Sequence, residues 1–150
     1  MLYYLIYASQ AKTCLQTNDL LAILNSARIR NTEFDITGML LYIQPDNTNT
    51  ECGRFIQFLE GTESNVLELF ELIKTDHRHE NVILLNEGRL KTRNFKEWQM
   101  AFESIAPENL YKHAGYIELN SALFQNFDSK RFNFALNSLK AFYELKLRIA

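Results

Sequence analysis

The sequence predicts an α+β fold in the order βαββαββ, with further helices after the last strand. Three observations carry this. Residues 2–8, 36–43 and 54–60 are short runs with apolar side chains at both parities, the pattern of strands covered on both faces. Two longer stretches, beginning near Leu20 and Val66, repeat apolar residues at helical spacing. Strand and helix runs alternate, so each helix joins two strands, and 150 residues with 47% hydrophobic content suffice for one well-buried domain.

The first strand, residues 2–8, is rich in Tyr, Leu and Ile and closes at Tyr7 and Ala8. After a polar loop, Thr17, Asn18 and Asp19 offer a helix N-cap, and Leu20, Leu21, Ile23, Leu24 and Ala27 recur at helical spacing to about Arg30. Residues 31–35 read as a polar connection and 36–43 as the second strand. Turn chemistry at residues 45–50 returns the chain through a long hairpin into the third strand, 54–60. Gly61, Thr62, Glu63 and Ser64 open a second helix, whose apolar positions Val66, Leu67, Leu69, Phe70, Leu72 and Ile73 make a wide inward face before it stops near Asp76. Residues 81–85 read as strand four, 86–94 as a polar connection and 98–102 as strand five, with Trp98, Met100 and Phe102 on one face. Two helices crossing over one face of an antiparallel or mixed sheet is the ferredoxin-like arrangement.

Residues 104–120 read as a connection within one unit, with a loose helix at 108–113. Helices at 121–127 and 129–149 follow. The last carries Phe132, Phe134, Ala135, Leu136, Leu139, Phe142, Tyr143, Leu145 and Leu147, too much apolar surface to leave in water. The free face of the sheet is the expected place for it, with a dimer interface as the competing one.

A net charge of −2 and scattered basic residues provide no field for nucleic acid or an anionic membrane. The apolar start, residues 1–7, lacks a basic leader and a cleavage site, and no apolar run approaches a membrane span. Cys14 and Cys52 are the two cysteines, too few for a disulfide framework, and favour reduced thiols and a cytoplasmic location.

Gln57 is the misfit. It stands in the middle of the apolar strand Phe55, Ile56, Phe58, Leu59, and a buried amide without partners costs roughly 1–3 kcal/mol. Tyr7 on the first strand can reach the same slot, donating its phenolic proton to the amide oxygen while the amide donates onward to a ligand. A Tyr–Gln bond that merely satisfies the core stands beside that reading. Asp76, His77, Arg78, His79 and Glu80 form a local cluster, but His-x-His at a helix end lacks convergent metal geometry, and a solvated C-terminus suits the helix dipole. His113 is isolated. Cys14 has no His or basic cluster to activate it. Phosphate-binding glycine loops and a nucleophile elbow are absent, so ordinary hydrolase, kinase and dehydrogenase readings lack their signatures.

Taken in order, residues 5–9 (Leu-Ile-Tyr-Ala-Ser), Asn31, residues 36–40 (Ile-Thr-Gly-Met-Leu), residues 55–61 (Phe-Ile-Gln-Phe-Leu-Glu-Gly), residues 76–79 (Asp-His-Arg-His) and residues 95–100 (Phe-Lys-Glu-Trp-Gln-Met) resemble the BLUF family of blue-light sensors. The resemblance covers about residues 2 to 104. It implies a flavin-binding domain over residues 1–104, a helical extension over 105–150 packed on the same domain, and noncovalent FAD between the two crossover helices. Tyr7, Ile23, Asn31, Gln57, Ile73, Arg78 and His79 are the residues it implies for holding the cofactor, Asn31 at the polar edge of the flavin and the two isoleucines across its ring.

What the resemblance implies for mechanism is photochemical rather than enzymatic. Tyr7 gives an electron and a proton to the light-excited flavin, and Gln57 changes its hydrogen bonding. Trp98 and Met100 relay the change to the far side of the sheet. The expected output runs through the C-terminal helices to a downstream effector protein, with a homo-oligomer expected and neither nucleic acid nor membrane as partner. A flavin-free ferredoxin-like interaction module is the alternative. Two departures stand out: the hairpin over residues 44–54 is longer than the family's short turn, and Ala27 stands where some members have serine.

Overall fold

The computed structural model describes residues 1–44, 52–102, 114–119 and 134–149. In chain order these form β1 (Leu2–Ala11), α1 (Thr17–Glu33), β2 (Thr37–Ile43), β3 (Arg54–Thr62), α2 (Glu63–Lys74), β4 (His79–Leu90), β5 (Trp98–Phe102), β6 (Tyr116–Glu118) and α3 (Phe134–Ile149). The strands make one sheet in the order β4-β1-β3-β2-β5-β6. β1 and β2 each pair antiparallel with β3 between them, so they run parallel to one another and need a crossover, which α1 supplies. β3 and β4 both pair antiparallel with β1, and α2 is their crossover. This is the expected ferredoxin-like core, extended by β5 parallel to β2 and β6 parallel to β5.

Each helix forms where local chemistry starts it and an apolar stripe holds it. The Asp19 side chain accepts from the Gln16 backbone N–H at 2.9 Å at the head of α1, and Leu20, Ile23, Leu24, Ala27 and Asn31 are its buried positions. Thr62 caps α2 by accepting from the Asn65 N–H, and Val66, Leu69, Phe70 and Ile73 face inward. Both helices pack on one side of the sheet with Leu5, Tyr7, Leu40, Leu59, Trp98, Met100 and Phe102. On the other side Ile6, Met39, Leu41, Ile43, Ile56 and Phe58 form a second layer that includes Ala135 and Leu139 of α3. The surface expected to cover the free face of the sheet is there, and strands covered on both faces explain why β2 and β3 read as unbroken apolar runs. No described helix is long and apolar enough to cross a membrane.

Two sites tie the sheet together. Gly38 has φ of +152°, and a Cβ there would lie 1.9 Å from the Phe58 carbonyl oxygen, so β2 and β3 approach as only glycine allows. Glu60, wholly buried at the end of β3, accepts from Thr37 Oγ1, the Asn94 backbone and side-chain N–H groups, and the Phe95 N–H at 2.7 Å. It thereby fixes the segment that delivers β5.

Four expectations are corrected. α1 runs on to Glu33, so Asn31 sits in a helix rather than in a connection. β4 spans His79–Leu90, and residues 86–90, expected as a loop, pair with β1 from Ile6 to Leu2. β4 is an edge strand whose side chains are largely exposed, so it carries no apolar alternation to read. Residues 116–118, expected within a connection, form β6 against β5. Cys14 and Cys52 form a disulfide rather than two reduced thiols, because the fold brings the loop after β1 to the start of β3 across a sequence separation of 38. The turn at 45–50 and the helices expected at 108–113 and 121–127, with the start of the last one, lie outside the described residues.

Candidate functional site

One cross-strand row organises the helix-covered side of the sheet. Met100 pairs with Leu40, Leu40 with Gln57, and Gln57 with Tyr7, spanning β5, β2, β3 and β1. Directly paired residues share a face, so the four side chains point to one side. Tyr7 Oη donates to Gln57 Oε1 at 2.5 Å, and both residues are buried. Burial raises the Tyr7 phenol far above its ordinary range, with Arg30 and Arg78 pulling weakly the other way, so the phenol keeps its proton.

Beside this pair a cleft of about 410 Å³, open mouth included, lies between the two crossover helices. Its lining includes Ile23 from α1 and Ile73 from α2, with Tyr7, Gln57, Arg78 and His79. Six of the expected site residues are therefore brought together. Asn31, Trp98 and Met100 are buried but do not line the cleft. Met100 belongs to the Tyr7–Gln57 row, and Trp98 pairs with Gly38 two residues earlier.

Ionic groups stand around the cleft. Arg78 donates from Nε and Nη2 to the Asp76 carboxylate, the closest contact being 2.5 Å, and its Nη1 reaches Ser26 Oγ on α1. Burial alone would raise the Asp76 carboxyl, but Arg78's hydrogen bonds and charge outweigh it and hold it at about 2. His79 Nε2 donates to the Ile73 carbonyl at 2.8 Å, which leaves Nδ1 to accept from Ser9 Oγ at 2.8 Å. Burial lowers the His79 pKa, so the ring is neutral in this tautomer. Both ring nitrogens are thus already engaged, and His79 meets the cleft with its ring rather than with a free donor.

Several buried polar atoms lack partners among the described residues. They are both side-chain atoms of Asn31, Arg30 Nε and Trp98 Nε1. Native interiors leave few such groups unpaired. A fully buried asparagine with donor and acceptor both free, beside a cleft walled by two isoleucines, fits a flat heteroaromatic ring with a polar edge, as a flavin has. Arg30 and Asp76 are lining residues that a sequence reading leaves without a role. The signal for Arg30 is its helical spacing from Ile23 and Ala27, which puts a cation on the inward face of α1.

Comparison with known proteins agrees with this geometry. Residues 2–101 match the family model described as sensors of blue light using FAD. The chain is 32% identical over 124 residues to photoactivated adenylate cyclase subunit alpha of Euglena gracilis, covering 83% of this chain and 11% of that protein. It is 34% identical over 97 residues to photoactivated adenylate cyclase subunit beta of Euglena longa, covering 64% of this chain and 10% of the other. The chain therefore spans about a tenth of the length of the curated relatives it matches. Among solved structures, BlsA in its photo-activated state superposes with TM-score 0.62 at 28% identity, over 93% of this chain and 94% of that one. BlrB, a BLUF protein in its dark state, superposes with TM-score 0.56 at 31% identity, over 66% and 69%. With the ferredoxin-like sheet, the cleft between crossover helices and a family match over residues 2–101, this chain belongs to the BLUF family of flavin-binding blue-light sensors.

Proposed function

We propose that the chain is a blue-light photoreceptor module that holds FAD noncovalently, with the Tyr7–Gln57 hydrogen bond as its switch. The observation that carries this reading is the 2.5 Å bond from Tyr7 to Gln57 in a cleft also lined by Arg30, whose Nε is unpartnered among the described residues. Ile23 and Ile73 would flank the ring, and Asn31 would satisfy its polar edge. Arg78, fixed by Asp76, and His79, fixed by Ser9 and Ile73, would close the mouth side. When bound, the flavin supplies blue-light absorption and, once excited, a strong oxidant.

The chain's own part is electron and proton supply and hydrogen-bond storage. Tyr7 is the electron donor, and its phenolic proton is directed at Gln57 Oε1. Gln57 then has two ways to face the phenol. Its oxygen accepts from Tyr7, or its amide nitrogen donates to the phenol oxygen, and each keeps one bond to Tyr7 while presenting the opposite end to the ligand. Met100 shares the Gln57 row through Leu40, and Trp98 lies on the same strand as Met100, so both would relay the change. The division into a flavin-binding unit over 1–104 and a helical extension over 105–150 belongs to this reading. Output would pass through the C-terminal helices to an effector protein in the cytoplasm, with self-association as part of the assembly. The matched relatives support an effector, since two are photoactivated adenylate cyclases and another match is a bacterial light-regulated adenylyl cyclase.

The test is an absorption spectrum of the purified protein before and after blue light, repeated with Tyr7→Phe and Gln57→Leu. A yellow protein with a reversible red shift that both variants lose supports the proposal. A colourless protein favours a flavin-free interaction module, and a yellow protein without the shift removes the sensor reading. Deleting the C-terminal helices should leave the spectral change and abolish light-dependent binding of a partner.

A further inference from the structure

Cys14 and Cys52 are bonded to one another, and the loop they close encloses all of α1 and β2. Their Cα atoms are 4.5 Å apart, inside the usual disulfide range. Cys14 is exposed in the segment between β1 and α1, while Cys52 is half-buried and packs on the helix-side core, as Leu15 does. Backbone bonds flank the link: the Ala11 N–H donates to the Gly53 carbonyl at 2.8 Å and the Lys12 N–H to the Arg78 carbonyl at 3.1 Å. The lead-in to α1 is therefore fastened covalently to the start of β3. Those are the elements that carry Ile23, Ala27 and Arg30 on one wall of the cleft and Phe55 and Gln57 on its floor.

We propose that Cys14–Cys52 is a reversible thiol–disulfide clamp, whose redox state sets how firmly α1 is held against the sheet and so how tightly the cleft keeps its ligand. Only the second half of that statement rests on the photoreceptor reading. Exposed disulfides are the labile, regulatory ones, and Cys14 is exposed. The reductant is a dithiol. Its thiolate bonds to the Cys14 sulfur as the Cys14–Cys52 bond breaks, and Cys52 leaves as thiolate and takes up a proton. The reductant's second thiolate then attacks its own first sulfur, releasing Cys14 as a thiol and a cyclic disulfide as product. Two electrons and two protons pass from the dithiol to the cysteine pair.

The experiment compares the full chain after oxidised glutathione and after dithiothreitol, with Cys14→Ser/Cys52→Ser as reference. Free thiols, melting temperature, amide exchange and release of bound FAD are read. Expected are two thiols on reduction, melting of the flavin-free chain lower by roughly 5–10 °C, faster exchange in residues 17–33 than in α2, and several-fold faster FAD release. The double variant should match the reduced protein and ignore dithiothreitol. Two free thiols persisting after oxidised glutathione would overturn the clamp, as would a bond that forms and breaks without changing exchange in α1. Loosening of α1 with unchanged FAD release would overturn its link to the cleft. Should FAD not bind at all, the photoreceptor reading fails, and exchange in α1 still decides the clamp.

Discussion

Tyr7 and Gln57 are direct register partners on β1 and β3, and the phenol donates to the amide oxygen across 2.5 Å. The bond commits Oε1 and leaves Nε2 as the end available to a ligand. Because each group is the other's partner, losing either one strands the other. Tyr7→Phe and Gln57→Leu should each destabilise the flavin-free chain by roughly 1–3 kcal/mol. The double variant should cost less than the sum of the two. Urea denaturation of the four proteins measures the coupling, and strict additivity would show that the bond contributes nothing.

Asn31 should behave in the opposite sense. Its amide is fully buried with both ends unpartnered among the described residues, so Asn31→Leu should stabilise the flavin-free chain by roughly 1–3 kcal/mol. The same change should weaken FAD binding by about 10–100-fold. Thermal melts without ligand and a fluorescence titration with FAD read the two effects. A variant that is less stable yet binds FAD normally would show that Asn31 is a packing residue.

Acid should loosen the fold in two stages. The His79 pKa is lowered by burial, so the unfolded chain takes up a proton that the folded chain resists. That stability is complete above the ordinary histidine value near 6.5 and declines as pH falls below it. Asp76, held at about 2, adds stability that is complete above its ordinary value of 3.8 and is lost as pH falls towards 2. Melting temperatures from pH 8 to 3 should fall in both windows, and His79→Gln should flatten the upper one. An unchanged upper slope in that variant would place its origin elsewhere.

Glu60 should matter more than its place in the sequence suggests. Its carboxylate takes four hydrogen bonds, two of them from the Asn94 and Phe95 backbone. Glu60→Ala should cost roughly 2–4 kcal/mol by leaving buried N–H groups unpaired. Amide exchange at Asn94 and Phe95 should rise before that of β1. Equal protection in variant and parent would show that the segment is held by its own packing, through Phe95 against Phe58.

The sequence on its own determined the core of the fold and the centre of the site. β2, β3 and β5, with most of β1 and the inward faces of α1 and α2, are buried elements whose period is written in their apolar residues, and burial is what makes a period legible. Gln57 stood out for the same reason, since an amide in a doubly covered strand needs a partner, and Tyr7 at the matching place on β1 supplies it.

Tertiary structure alone decided what depends on neighbours distant in sequence. The end of β4 and the three-residue β6 lie at the sheet's margins, where backbone pairing holds polar or very short segments without an apolar pattern. The Cys14–Cys52 bond, the four donors converging on Glu60 and the unpaired atoms of Arg30, Asn31 and Trp98 all turn on which groups meet, or fail to meet, in space. Side-chain period reports which face a residue turns to the core. It carries no record of what stands opposite, and hydrogen bonds and disulfides depend on that.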